Sequence, residues 1–288
     1  MLQGDAPVPE NDVNSLVSAL EWQFAMGADE ALVDAPVDRY ALVAEKLAAR
    51  PPSPPPKAPL GTPMGTSPAR TADPRRAPDD KAPLGTAEAT SLGRSVAEAC
   101  DSLEALRAAL ESFDGCSLRE TATNLVFGDG NPEADIMVIG EAPGADEDRQ
   151  GVPFVGVSGQ LLDRMLSHIG LTRERFYITN TVYWRPPGNR KPNDGEFAVC
   201  RPFVERHIQL VAPKLLLLVG DKAVRGLAGA TSGITRSRGN WYDVRAGAMT
   251  IPAMATFHPA YLLRTPSGKR LAWRDLLALR RRMDEMGL

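Results

Sequence analysis

From about residue 91 onward the apolar residues fall into two alternating patterns. Four short runs, 136–139, 176–180, 215–219 and 251–257, are predominantly apolar, which predicts strands buried on both faces. Between and around them the apolar residues recur at helical spacing. Residues 91–112 place Val96, Leu103, Leu106 and Leu110 on one side. Residues 158–169 open on Ser158 as a helix cap and stop at Gly170. Residues 194–211, 221–227 and 269–286 complete the set of predicted helices. Strand, helix, strand at this spacing predicts right-handed crossovers and a parallel sheet covered on both faces, an α/β class. In such sheets the ligand site lies beyond the carboxyl ends of the strands.

The first 90 residues have a different texture. Residues 13–28 carry Leu16, Leu20 and Phe24 at helical spacing, with Val17 and Trp22 nearby, and predict a short amphipathic helix within an acidic segment, 1–48. Residues 49–87 hold eleven prolines and almost no aromatic side chain, so they read as a disordered linker to a globular domain at 88–288. The hexapeptide KAPLGT occurs twice in this stretch, at 57–62 and 81–86, either as local duplication in a spacer or as a repeated docking motif.

Charge divides the same way. The net charge of −3 combines −5 over residues 1–88 with +2 over the remainder, so an acidic tail masks a slightly basic body. A balance of +2 is weak by itself as a sign of nucleic-acid binding, and the placing of the basic residues matters more. Three scattered cysteines, Cys100, Cys116 and Cys200, cannot build a disulfide framework and fit a reducing cytoplasm. No run is long and apolar enough for a membrane span, and no basic region followed by a hydrophobic stretch opens the chain.

The polar residues that follow the strands carry the chemistry. After the first strand come Gly140-Glu141-Ala142-Pro143-Gly144 and, a little later, Gly151-Val152-Pro153-Phe154-Val155-Gly156. Glycines there serve either a tight strand-to-helix loop or close approach of backbone to a ligand, and the spacing is not that of a dinucleotide fingerprint. The second strand ends on Thr179-Asn180-Thr181, where an amide, a poor strand former, is a turn starter or a reader of a base edge. The last strand runs into His258-Pro259, and His258 is one of only three histidines. A lone histidine is commonly structural, but three polar anchors at three strand ends converge on one place.

The segments GEAPGADEDRQGVPFVG (140–156), ITNTVYWRPPGNRKP (178–192) and TFHPAYLLR (256–264) resemble the motifs of family 4 uracil-DNA glycosylases, in the same order and at similar spacing. The resemblance runs from about Cys116 to Asp284, and nothing before residue 90 takes part. It implies a three-layer α/β/α sandwich around a four-stranded parallel sheet, and an enzyme that flips uracil out of DNA and hydrolyses its N-glycosidic bond. By the same resemblance Phe154 stacks on the flipped base, Asn180 reads its edge, and His258 donates to O2 as the leaving uracil becomes anionic. Gly140 gives close backbone approach, Glu141 orients water and offsets the cationic sugar, and Glu147 lines the C5 side. Family 1 relatives carry an aspartate where this chain has Ala142, so the water-activating group is not common to the superfamily.

For DNA the candidates are Arg185, Arg190, Lys191, Arg238 and Arg264, in basic loops near strand ends, with Leu262 at the superfamily's intercalating position. The run 280–282 reads as ordinary surface. Two other readings of the same motifs are a catalytically weak lesion or abasic-site binder, and a glycosylase of shifted range, such as one for hypoxanthine or a base-crosslinking relative. The intact Glu141, Asn180 and His258 speak against the first, and the short 185–192 segment speaks against a base-crosslinking relative. The implied protein is a cytoplasmic, nucleoid-associated monomer, whose tail is free to engage a repair or replication protein.

One departure concerns the cofactor. Family 4 enzymes hold a [4Fe–4S] cluster on four cysteines, the first two as C-x₂-C. Here Phe113-Asp114-Gly115-Cys116 keeps only the second, Trp184 stands at the third position, and Cys200 keeps the fourth. Cys100, thirteen residues before Phe113 on a predicted helix, is poorly placed to substitute. Two thiolates do not hold a cubane, so the expectation is an enzyme without cluster or metal, with Phe113 and Trp184 filling the vacated volume.

Overall fold

The computed structural model describes residues 85–288. The acidic segment, its candidate helix and residues 49–84 of the candidate linker lie outside the described residues. The chain enters on helix α1 (Thr86–Glu98) and passes to α2 (Leu103–Ser112). The sequence pattern predicts one helix here. The break falls where Ser102 caps α2, its side chain accepting from the Ala105 amide at 3.1 Å, a local bond that competes with continuing the first helix.

A one-turn helix α3 (Leu118–Thr121) leads to a short strand β1 (Asp129–Gly130) and then β2 (Ile136–Gly140). Helices α4 (Ala145–Gln150) and α5 (Val157–Ser167) follow, then β3 (Tyr177–Asn180), α6 (Asp194–Val211) and β4 (Leu215–Val219). Next come α7 (Asp221–Ala228), α8 (Ile234–Ser237), β5 (Trp241–Ala246) and β6 (Met249–Thr256). Helices α9 (Pro259–Arg264) and α10 (Lys269–Met286) close the chain.

The sheet order is β1-β3-β2-β4-β6-β5. The four middle strands are parallel, as the pattern predicts, with Gly140 in register with Asn180 and Val219 with Thr256. Antiparallel strands β1 and β5, which the pattern does not predict, extend both edges. β5 pairs with β6 through the two-residue turn Gly247-Ala248, placing Ala246 opposite Met249. Its residues alternate exposed and buried toward its end, so it lacks the continuous apolar run of a central strand.

The alternation of side chains across the pleat sorts the core into two layers. Met137, Ile139, Leu216 and Leu218 face one way and pack with Leu106, Leu110, Phe203 and Val224, from α2, α6 and α7. Ile136, Val138, Leu215 and Leu217 face the other way, against Leu162 and Leu166 of α5 and Leu276 and Leu279 of α10. This is the three-layer sandwich. Among the described residues no helix is long and apolar enough to cross a membrane.

Candidate active site

The carboxyl ends of β2, β3 and β6 open on a cavity of about 580 Å³. A second cavity of similar size, about 570 Å³, lies between β5 and α10 and is lined by none of the candidate residues. Volume therefore does not choose between them. The polar groups do.

Asn180 ends β3 and is 1 % exposed. Its Oδ1 is the one buried side-chain polar atom among the described residues without a hydrogen-bond partner. Leaving such an acceptor unpaired costs about 1–3 kcal/mol, which native structures tolerate where a ligand supplies the missing donor. Gly140, directly across the pair in β2, is what lets this happen: a Cβ there would overlap both the Phe154 ring and Asn180 Oδ1. The ends of the two strands are tied by the Thr181 amide donating to the Gly140 carbonyl at 2.9 Å and by Thr181 Oγ1 donating to the Glu141 carbonyl at 2.7 Å.

His258 sits at the N-cap of α9, immediately after β6. Its Nδ1 accepts from the Ala260 amide at 3.2 Å. An acceptor carries no proton, so the neutral ring bears its proton on Nε2. Burial is the largest influence on His258 and lowers its pKa, with Arg264 and Lys191 acting the same way and Glu141 and Glu147 opposing. The ring is thus a neutral N–H donor at neutral pH. It lies beside the Phe154 ring, centroids 5.9 Å apart and planes inclined by 29°.

The two glutamates are partly committed to holding the loops. Glu147 accepts from the Gly144 amide at 3.0 Å through Oε2 and from the Gly156 amide at 2.9 Å through Oε1. It lines the cavity, but both oxygens already bridge the two glycine-containing loops. Glu141 accepts from the Lys222 amide at the start of α7 at 3.1 Å, using Oε1; Oε2 has no such bond. Ala142 lines the cavity and packs on the core.

The residues expected on DNA divide. Lys191 and Arg264 line the cavity without an ion-pair partner among the described residues. Arg190 also lines it, but its guanidinium is paired with Glu196, whose side chain is 6 % exposed. Arg185 donates to Asn189 Oδ1 at 2.7 Å and stands 3.9 Å from an oxygen of the buried Asp148. Arg238 departs furthest from expectation. It is ion-paired to Asp275, a carboxylate 1 % exposed that also accepts from Thr256, and it donates to the Leu271 carbonyl at 2.9 Å. Its charge is consumed inside the fold. Arg236, two residues earlier, is exposed instead.

Leu262 requires a correction as well. It is fully buried with Leu161, Phe257 and Ala272, so it is a core residue and not a wedge. On the short helix α9 the next residue, Leu263, points outward and is 41 % exposed. A position of inward or outward orientation one residue apart cannot be read from a two-leucine sequence without the helix phase.

Comparison with known proteins agrees with this architecture. Residues 127–277 match the family model described as the uracil DNA glycosylase superfamily. The chain is 37 % identical over 185 residues to a type-4 uracil-DNA glycosylase of Sulfurisphaera tokodaii, covering 62 % of this chain and 84 % of that protein. It is 38 % identical over 170 residues to the type-4 uracil-DNA glycosylase of Archaeoglobus fulgidus, 58 % of this chain and 85 % of that one. It is 38 % identical over 177 residues to that of Thermotoga maritima, 60 % and 91 % respectively. The chain belongs to the uracil DNA glycosylase superfamily, within reach of its type-4 members.

Proposed function

We propose that the protein is a monofunctional uracil-DNA glycosylase that flips uracil from DNA and hydrolyses its N-glycosidic bond, leaving an abasic site for base excision repair. The observation that carries this reading is the unpartnered, buried Oδ1 of Asn180, in the cavity that Phe154 and a neutral His258 also line. Uracil stacked on Phe154 offers its N3–H to Asn180 Oδ1 and its O4 to the Asn180 amide. Cytosine reverses both groups and leaves the orphan acceptor unpaired, the kind of mismatch a polar site rejects strongly. His258 Nε2–H donates to uracil O2, where negative charge gathers as the bond to the sugar breaks, so the contact strengthens toward the transition state. Glu141, with one oxygen held by α7 and the other free, orients water and offsets the cationic sugar. Lys191 and Arg264 contact phosphates at the cavity rim, and exposed Leu263 fills the gap left in the duplex.

In this reading the protein works as a cytoplasmic monomer on uracil-containing DNA, with residues 88–288 as the catalytic unit and the acidic tail as a tether. It carries no iron–sulfur cluster. Of the four positions at which type-4 enzymes bear cysteine by the resemblance above, Cys116 and Cys200 remain, with their sulfurs 3.9 Å apart. Phe113 and Trp184 occupy the other two, both buried in the same core cluster, Phe113 with its ring edge-on to Phe203 at 4.8 Å. Two thiols closed in by aromatic packing do not fit a cubane, and no step of the chemistry runs through one.

The test is a gel assay on oligonucleotides bearing uracil, hypoxanthine or an abasic site, with and without alkali. Cleavage of the uracil strand that needs both protein and alkali is expected, with the hypoxanthine strand intact and the abasic strand cut by alkali with or without protein. An intact uracil strand after alkali refutes the proposal.

A further inference from the structure

The site contains a strained aromatic, and the group that holds it lies outside the cavity. Phe154 has φ +57°, a left-handed backbone that a bulky side chain keeps only where its surroundings over-determine it. Two features do so. Gly159, early in α5, has no side chain: any Cβ there would overlap the backbone of Phe154. Arg173, in the loop before β3, donates from Nη2 to the Phe154 carbonyl at 2.9 Å and reaches the Pro153 carbonyl from Nη1 at 3.4 Å.

The guanidinium is itself fixed from both sides. Asp163 of α5 takes Nε at 2.9 Å and Nη2 at 3.1 Å, and Asp129 of β1 takes Nη1 at 3.0 Å. Its centre lies 5.6 Å from the centroid of the Phe176 ring. A planar fork can serve two carboxylates and two carbonyls at once, which a lysine ammonium cannot. Arg173 does not line the cavity, so it acts on the reaction only through Phe154.

We propose that Arg173 is a positioning residue for base recognition: by anchoring the Phe154 carbonyl it keeps the backbone left-handed and the ring set against Gly140, Asn180 and His258. The inference rests on Phe154 being the base-stacking residue. Without Arg173 the Phe154 peptide loses its partner, the backbone relaxes toward negative φ, and the ring leaves the base plane.

The experiment is a double-mutant cycle on the full chain, reading single-turnover excision of uracil from a single-stranded oligonucleotide below the melting transition of every variant. Arg173→Gln is expected to slow excision on the order of 10–100-fold, as displacement of a positioning group does, with Arg173→Lys recovering only part. Phe154→Ala is impaired too. The double variant should be no slower than Phe154→Ala alone, because Arg173 has nothing left to position. A general loss of stability would instead multiply the two effects, and that outcome overturns the proposal, as does normal excision by Arg173→Gln. If Phe154→Ala itself excises normally, the stacking reading of Phe154 fails and the inference falls with it. Should Arg173→Gln not fold, Asp163→Asn loosens the same guanidinium; it must slow excision and show the same collapse in the Phe154→Ala background.

Discussion

Two adjacent leucines should separate stability from base flipping. Leu262 is fully buried against Leu161, Phe257 and Ala272, and its neighbour Leu263 is 41 % exposed. Leu262→Ala removes buried carbons and leaves a cavity, a loss of about 2–5 kcal/mol. For a domain of this size each kcal/mol lowers the melting temperature by about 2–4 °C, so a fall of about 4–20 °C is expected. Leu263→Ala removes a side chain already 41 % open to solvent and should cost less, on the order of 1 kcal/mol. Its cost appears with DNA. A wedge offsets the unpairing and unstacking of a flipped base, worth a few kcal/mol in a duplex and least in a single strand. Leu263→Ala should therefore slow excision from a duplex on the order of tenfold while leaving single strands nearly untouched. Differential scanning calorimetry and single-turnover excision on both substrates make the measurement. If Leu263→Ala matches the parent on duplex DNA, Leu263 is no wedge; if Leu262→Ala melts with the parent, the buried assignment is wrong.

Three further outcomes follow from the geometry. His258→Ala should lower single-turnover excision by about 10²–10³-fold, as for a lost oxyanion donor, with DNA affinity unchanged. Because burial holds the His258 pKa below the usual value, the parental rate should stay flat as pH falls through about 6.5, the ordinary histidine range. A loss of activity centred there that His258→Gln abolishes would contradict the neutral-donor assignment. Trp184→Ala should cost about 3–5 kcal/mol in urea unfolding, the usual range for a buried aromatic, and protein purified without air should lack iron; a stoichiometric cubane would refute the proposed absence. His207 is enclosed between Tyr183 and Tyr177, at 3.2 and 3.1 Å, and burial drives its pKa down to about 3. Since the unfolded chain binds that proton near pH 6.5, stability should fall as pH drops below 6.5, by about 2 kcal/mol at pH 5. His207→Gln should flatten that slope, and an unchanged slope would place the titration elsewhere.

The sequence made the central sheet legible because strands buried on both faces leave unbroken apolar runs, as in Leu215–Val219. It hid β5, whose exposed Trp241, Asp243 and Arg245 give it the look of a loop. The strand-end residues Asn180 and His258 were legible because a polar group at the end of an apolar run is out of place there. Arginine roles were not, since a partner's location is a matter of tertiary structure. Arg238 and its Asp275 lie 37 residues apart, and the contacts of Arg173 lie 10, 19 and 44 residues away. No local pattern distinguishes such a residue from a cation that meets a phosphate.

Phe113 and Trp184, at positions where the type-4 resemblance implies cluster cysteines, bear on the site through β3. Asn180 ends that strand, and the chain runs on through Val182 and Tyr183 to Trp184, all buried. A metal cluster in this region would fix the exit of β3 by bonds to sulfur. Here the exit is fixed by packing: Trp184 lies edge-on to Tyr183 at 6.3 Å, and Tyr183 stacks on His207, which in turn stacks on Phe127. The Val126 amide donates to the Tyr183 carbonyl at 2.9 Å, closing the same segment from its other side. Asn180 needs its amide held still, because an acceptor that can turn away from an empty site would find another partner and lose its selectivity for uracil. Dispersion between interlocked rings gives that rigidity. Apolar residues of aromatic size at positions 113 and 184 should preserve the reader, and small ones should slow single-turnover uracil excision at temperatures where calorimetry still shows the protein folded.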